Sequence, residues 1–290
     1  MTEIELNDVA YKDSIRREWT SAAAGWRRWF DTTEAEGAGR ALTRVLLQQA
    51  ALRAGDAVLD VGSGYGEPGL SAAAEVGPDG HVTCLDISGD MLAFAEERAR
   101  SAELTNTRFV EADIETVALE PASFDVVLSR NALMYASDPL TTLRRLRALL
   151  RPAGRLAVAV WATPDKVAFA IPVGVITEML DISLSTDGPG PFALGAPGVL
   201  EDLVSNAGLA DITSGTVEVV YETPDRESCT RWLRDVAPPI TELVADQLPS
   251  VQDEVWQRVT EAWSPFAGEG GRVRLPSTAI WVTGTNADEG

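Results

Sequence analysis

Apolar residues fall at three- and four-residue intervals over 11–30, where Ile15, Trp19, Ala22, Trp26, Trp29 and Phe30 are separated by Arg16, Arg17, Arg27 and Arg28; that spacing predicts an amphipathic helix. A second helical stretch runs over 38–53. The period then changes. Gly55-Asp56 turns the chain into Ala57-Val58-Leu59-Asp60-Val61, a short buried strand closed by glycines. From there helix and strand alternate: helix 67–76, turn Gly77-Pro78-Asp79-Gly80, strand 81–86, helix 88–102, strand 107–110, a loop, strand 124–129, helix 138–149, turn Arg151-Pro152-Ala153-Gly154 and strand 155–161. Strands separated by helices predict an α/β fold, a parallel sheet with helices on both faces.

Beyond Trp161 the regularity weakens. An apolar helix near 165–182 is followed by a Gly/Pro-rich loop from Thr186 to Pro197, a helix to Asn206 and a strand over 212–222. Helical stretches at 225–247 and 250–264 precede a last strand, Ser277 to Gly284. Because 225–264 interrupts two strands, it is expected to project from the sheet edge as a cap. Three segments follow: an N-terminal helical segment over 1–37, a core over 38–161, and 162–290 completing the sheet and carrying the cap. The last half-dozen residues read as a loose tail.

At 290 residues, 45% hydrophobic and 23% charged, the composition is that of a folded chain with a full-sized core. Lys and Arg number 24 against 44 Asp and Glu, a net charge of −20 that repels nucleic acid and the anionic membrane surface. Arg144, Arg145, Arg147 and Arg151 do cluster, but as the wet face and last turn of a helix whose apolar side is Leu140, Leu143, Leu146, Leu149 and Leu150. Cys84 and Cys229 make no disulfide framework, and with His81 as the single histidine there is no metal-ligand spacing. The acidic start, Met1 to Asp13, has no apolar targeting core, so a cytoplasmic chain without a membrane span is expected.

The sharpest signal is Val58-Leu59-Asp60-Val61-Gly62-Ser63-Gly64-Tyr65-Gly66-Glu67-Pro68-Gly69, with three alternate glycines between a buried strand and a helix. Glycines there let the backbone approach a ligand whose polar end meets the N–H groups of a helix start. The next strand ends in Asp86, 24 residues past Gly62, where a carboxylate accepts hydrogen bonds from ribose hydroxyls. A nicotinamide-type fingerprint would want Gly-x-Gly-x-x-Gly and a diphosphate on the helix end, where Glu67-Pro68 instead adds an anion.

Together with Glu111-Ala112-Asp113-Ile114 at the close of the following strand, these elements resemble the class I S-adenosylmethionine-dependent methyltransferases. Gly64-x-Gly66-Glu67-Pro68 and Leu149-Leu150-Arg151-Pro152-x-Gly154-x-Leu156 are most similar to the ubiquinone and menaquinone C-methyltransferase group. The resemblance implies a Rossmann-like, doubly wound sheet of seven strands, mostly parallel with an antiparallel last strand. It implies that Gly62, Ser63, Gly64 and Gly66 flank the methionine part of S-adenosylmethionine. Asp86 would hold the ribose, Ile87 and Met91 pack on adenine, and Ala112, Asp113 and Ile114 read its amino edge. Ser129 and Arg130 would edge the sulfonium, with Asp60, Glu67 and Asp86 forming an acidic mouth that tolerates its positive charge.

Methyl transfer is an in-line displacement at an activated sulfonium, so positioning supplies much of the acceleration. His81 precedes a strand at the end remote from the ligand and reads as structural. Two thiols argue against arsenic methylation, and Asp138 before Pro139 reads as a helix cap rather than a metal ligand. Asn131 and Tyr135, after the fourth strand, are candidates to orient an acceptor, or alternatively cap the next helix; Arg130 and Met134 stand beside them. The resemblance implies that the N-terminal helical segment, 1–37, folds over the cofactor as a lid bearing Tyr11 and Trp19, with core packing the simpler reading for Trp19, Trp26 and Trp29. Trp232, Trp256, Trp263 and Phe266 predict an apolar inner wall for the cap and a bulky hydrophobic acceptor. The function expected is O- or C-methylation of a hydrophobic small molecule, as in natural-product or quinone biosynthesis. The alternative is a protein that binds the donor without spending its methyl group and catalyses a cyclisation. Nucleic acid and membrane are not expected partners; assembly with further copies of the chain stays open.

Overall fold

The computed structural model describes residues 3–32, 37–184 and 188–287. The expected loose tail reaches past Ala287, the expected loop starts at Thr186, and the end of the expected lid segment crosses 33–36; those parts lie outside the described residues. In chain order the elements are α1 (Glu3–Phe30), α2 (Ala38–Ala50), β1 (Ala57–Val61), α3 (Gly69–Val76), β2 (His81–Asp86), α4 (Gly89–Ser101), β3 (Thr107–Glu111), β4 (Phe124–Arg130), α5 (Pro139–Leu149) and β5 (Leu150–Trp161). There follow α6 (Ile171–Leu180), α7 (Val199–Asn206), β6 (Ala210–Thr223), α8 (Arg226–Val236), α9 (Pro238–Ala245), α10 (Pro249–Ala262) and β7 (Val273–Thr285).

The strands form one seven-stranded sheet in the order β3-β2-β1-β4-β5-β7-β6. β1 runs parallel to β2 and to β4, as do β2 with β3 and β4 with β5. β7 returns antiparallel to β5, pairing Val158 with Val282, which is the closing arrangement the resemblance implied. All five residues of β1 are buried, Asp60 among them, as expected of a strand covered on both faces. Chain order reverses between β1 and β4, the switch point at whose carboxyl edge such sheets bind ligands.

Cα packing divides the chain into two compact units. One comprises 42–162, 188–217 and 279–290; the other comprises 1–41, 163–187 and 218–278. In the first, Asp138 caps α5 by accepting the Thr141 N–H at 3.0 Å, with Pro139 at the first helical position. The arginines of α5 and its exit are spent on the fold: Arg145 on backbone carbonyls of 114 and 117, Arg147 on Asn286 and Arg151 on Asp125. The turn expected at 151–154 is instead drawn into a longer β5, with a register shift between Phe124 and Val126 and Ala153 at φ 56°.

In the second unit, α1 begins eight residues before the predicted start, and its Ile15, Ala22 and Ala23 are buried. Trp19, Trp26 and Trp29 are half-buried rather than core residues. The helix expected over 225–247 breaks into α8 and α9 at Pro238-Pro239, which can only begin a helix. Trp263 is fully buried and donates its indole N–H to Thr230 Oγ1 at 3.0 Å; Trp232 stacks with Tyr221 at 5.2 Å between ring centres. These aromatics fill the unit's own interior. The groove between α8 and α10 is lined by Arg226, Arg231, Arg234, Glu227 and Glu261 beside Trp256, so this stretch carries charged side chains along with its aromatics.

Candidate functional site

At the carboxyl end of β1 the Gly62 and Ser63 N–H groups both donate to Leu85 O, at 2.8 and 3.0 Å, fastening the glycine loop to β2. Gly62 sits at φ 68°, and a Cβ there would lie 2.2 Å from the Ala132 Cβ, so both backbone angle and space demand glycine. Gly66 likewise closes onto Leu70 and Ala95, so these two glycines serve packing within the protein. Gly64 faces the Met91 side chain and sends its N–H to Asp86 Oδ2 at 2.8 Å.

Asp86 is the hub. Its second oxygen accepts the Ser88 N–H at 2.9 Å, and Ser88 in turn caps α4 through the Met91 N–H. Burial pushes this carboxyl up to about 6, against the opposing pull of the Ser88 and Gly64 N–H groups. Each carboxylate oxygen has two acceptor positions, and with the Ile87 N–H also directed at this carboxyl at least one stays open to a further donor. Ile87 is half-buried beside it and Met91 is buried.

The acidic mouth expected from Asp60, Glu67 and Asp86 reduces to Asp86. Asp60 is wholly buried beneath the loop, where desolvation raises its carboxyl to about 8 although Oδ2 accepts the Gly69 N–H at 2.8 Å. It therefore carries its proton at neutral pH. Glu67 is turned inward, bonded to Arg98 at 2.8 Å and to the Ser71 hydroxyl at 2.6 Å.

At the end of β4, Arg130 is buried and donates to Tyr65 Oη and, at 3.3 Å, to Thr43 Oγ1. Its guanidinium lies 5.4 Å from the Tyr65 ring centre, and Arg98 lies 5.7 Å from the same ring. Tyr65 is a site residue that sequence reasoning passed over. An aromatic within a loop of small residues, and one arginine closing an apolar strand, were its signals. Ser129 Oγ and Asn131 Oδ1 are buried with no hydrogen-bond partner, and Asn131 sits at φ 57° with its N–H on Ala159 O at 2.8 Å.

Ala112 donates its N–H to Asp86 O at 2.9 Å, which ties the next loop to the same hub. Asp113 Oδ1 accepts the Glu115 N–H at 2.9 Å, and Ala112, Asp113 and Ile114 are half-buried. Tyr135 is half-buried at the end of a single helical turn, Leu133–Tyr135. Glycine loop, Asp86, 112–114, Ser129, Arg130, Asn131 and Tyr135 all belong to one unit; Tyr11 is half-buried on α1 of the other. His81 is exposed at the opposite end of β2. Cys84 and Cys229 are buried, and burial pushes the Cys229 thiol up to about 12.

The residues present fit the donor that the resemblance implies. An anionic acceptor stands at a sheet edge with a spare lone pair, and buried oxygens of Ser129 and Asn131 lack partners that an ammonium or hydroxyl donor would supply. Among the described residues no group of His, Cys, Asp and Glu could hold a metal ion, and no helix is long and apolar enough to cross a membrane.

Residues 52–171 match the family described as methyltransferase domain. The chain is similar to demethylmenaquinone methyltransferase of Listeria welshimeri, 33% identical over 111 residues, which is 38% of this chain and 47% of that one. It thus spans about half the length of the curated relatives it matches. Among solved structures, phosphoethanolamine N-methyltransferase 2 of Haemonchus contortus has a TM-score of 0.61 at 17% identity, covering 96% of this chain and 60% of that one. The cyclase SpnF has a TM-score of 0.53 at 18% identity, covering 85% and 80%. Strand order, loop and family match agree: over residues 52–171 the chain carries a methyltransferase domain of the class I, S-adenosylmethionine-dependent kind.

Proposed function

We propose that the chain methylates an oxygen or carbon of a hydrophobic small molecule, with positioning as the main source of acceleration. The observation that carries the reading is the bond from Gly64 N–H to Asp86 Oδ2, which sets an anionic ribose acceptor against the glycine loop at the sheet's switch point. S-adenosylmethionine supplies, when bound, a methyl group on a sulfonium that needs no further activation. Ser63, Gly64, Asp86, Ile87, Met91, Ala112, Asp113 and Ile114 hold the donor on a loop that Gly62 and Gly66 shape by close packing, and Ser129 and Arg130 close its reactive side. Asn131 and Tyr135 orient the acceptor so that its nucleophile meets the methyl group on one axis. Asp60, protonated beneath the loop, adds no charge to the site. Tyr11 acts from the N-terminal helix to exclude water.

The acceptor class rests on charge and on the neighbourhood of Tyr135. A net charge of −20 disfavours polyanions. The Met134 carbonyl accepts the Gly190 N–H at 2.9 Å, which ties the loop bearing Phe192 to the segment bearing Tyr135. Aromatic side chains on two joined segments suit an apolar or aromatic acceptor.

A second reading, donor binding with cyclisation of the acceptor and no methyl transfer, is favoured by the likeness of fold to SpnF. Incubation with S-adenosylmethionine and a panel of quinones, polyphenols and polyketides, followed by mass spectrometry, separates the two. Demethylated donor beside a methylated acceptor supports the first; an isomerised acceptor with intact donor supports the second. Absence of donor binding in calorimetry would end both.

A further inference from the structure

Two loops at the carboxyl edge of the sheet are stitched together by a reciprocal pair of side chains. From the loop after β3, Glu115 reaches the entry to α5: Oε2 accepts the Ser137 N–H, and Oε1 accepts the Asp138 N–H and the Thr142 hydroxyl, each at 3.2 Å. From α5, Arg145 reaches back and donates to the carbonyls of Ile114, at 3.2 Å, and Val117, at 2.7 Å. The loop starts on Asp86 through the Ala112 N–H, and Asp113 fixes the Glu115 N–H. Ser137 lies two residues beyond Tyr135. A continuous line of hydrogen bonds therefore runs from Asp86 through 112–115 to the segment that carries Asn131 and Tyr135.

Helix capping accounts for only part of what Glu115 does. Asp138 is the N-cap, accepting the Thr141 N–H, and its own N–H is one of the four that a helix start leaves unpaired, but the Ser137 N–H that Glu115 also holds lies outside them. Glu115 holds the approach to the helix, and with it the position of 131–136.

We propose that Glu115 is a positioning residue that passes donor occupancy at 112–117 to the acceptor side at 131–138, so that a bound donor orders the place where the acceptor will bind. The proposal rests on the reading above that 112–114 borders the donor. Its physical content is a coupling between two segments through one carboxylate, reciprocal for the two ligands.

Hydrogen exchange of the full chain, with and without S-adenosylhomocysteine as probe, tests it after calorimetry has established that the probe binds. In the wild-type chain the probe is expected to slow exchange at least fivefold both at 112–117 and at 131–142. In Glu115→Ala the slowing at 112–117 should persist within twofold, while that at 131–142 falls below twofold; Glu115→Gln, keeping one acceptor oxygen and the same reach, should lie between. If Glu115→Ala does not fold, Thr142→Val, which removes a single bond of the three, should give a partial loss of the same kind. Equal slowing at 131–142 in wild-type and variant chains would overturn the coupling, as would probe binding that leaves 112–117 unchanged. Failure of the wild-type chain to bind the probe is a separate result, read by calorimetry alone, and removes the donor reading together with this one.

Discussion

Asp86 and Gly64 meet at 2.8 Å, carboxylate to N–H, so the acid that ends β2 and the glycine loop that ends β1 form one hydrogen-bonded unit. Asp86→Ala removes that link, the Ser88 link and the carboxylate proposed to accept the ribose hydroxyls. Donor affinity should fall by ~2–3 kcal/mol, since charged hydrogen bonds are lost, and stability by about 1–2 kcal/mol as two N–H groups lose their partner. Calorimetry with S-adenosylhomocysteine and urea unfolding on the same sample measure both. Unchanged affinity in a folded variant would remove Asp86 from the donor site.

The two buried acids make stability depend on pH in an unusual direction. Asp60 titrates near 8 and Asp86 near 6 in the folded chain, against an ordinary value of 3.8, because burial disfavours their charged forms. Between pH 4 and 8 the folded state keeps protons that the unfolded state has released, so these two groups lower stability as pH rises. Above pH 6 the remaining slope belongs to Asp60, at most ~1.4 kcal/mol per pH unit. Asp60→Asn cannot ionise and should flatten the fall between pH 6 and 8. Urea midpoints at half-unit intervals decide it, and parallel curves for variant and parent would place the Asp60 proton elsewhere. Asp125, Asp138 and Asp225, held below the ordinary value, act on the acid side of this window.

Gly62 and Ala132 offer a packing test. Gly62→Ala places a methyl group 2.2 Å from the Ala132 Cβ and forces a side chain onto φ 68°. Overpacking and the left-handed backbone together should cost roughly 2–4 kcal/mol. Adding Ala132→Gly relieves the clash but not the backbone, so the double variant should recover about half. A double variant no better than the single one would assign the whole loss to the backbone angle. Thermal unfolding of the two variants beside the parent chain reads this directly.

How far the sequence reveals this site depends on the range of each interaction. The glycine loop and Asp86 are legible because strand, turn and acid are local in sequence and the spacing follows from two parallel strands joined by a helix. The contacts that hold them are not. Arg130 reaches Tyr65 across 65 positions and Glu115 reaches α5 across 22 to 27, pairings that exist only once β4 lies beside β1. Glu67 reads as part of an acidic mouth until Arg98, from α4, is seen to take it. Apolar residues are ambiguous in another way: Trp232 and Trp263 announce burial, but composition cannot tell burial against a ligand from burial in a core.

The N-terminal helix gives the last prediction, because its two halves are held differently. Toward its C-terminus, Gly25 lies so close to α8 that a Cβ would stand 1.9 Å from the Asp235 carbonyl oxygen, and Asp235 Oδ2 accepts from Arg28 at 2.6 Å and from Trp29 at 2.7 Å. Such a clamp fixes residues 22–30 to α8. Tyr11 and Trp19, eight positions apart and so on roughly one face, lie on the part it leaves out. Removing residues 1–18 should therefore lower the melting temperature by only a few degrees, about 1 kcal/mol for a chain of this size. Turnover should fall at least tenfold if Tyr11 helps shut water out. Asp235→Ala should do the reverse, costing about 1–2 kcal/mol, chiefly through the part-buried Trp29 indole N–H since the Arg28 pair is exposed, with kcat of the folded fraction kept. Melting temperature and turnover measured on both variants separate the roles, and a truncated chain with normal turnover would show that this helix is packing alone.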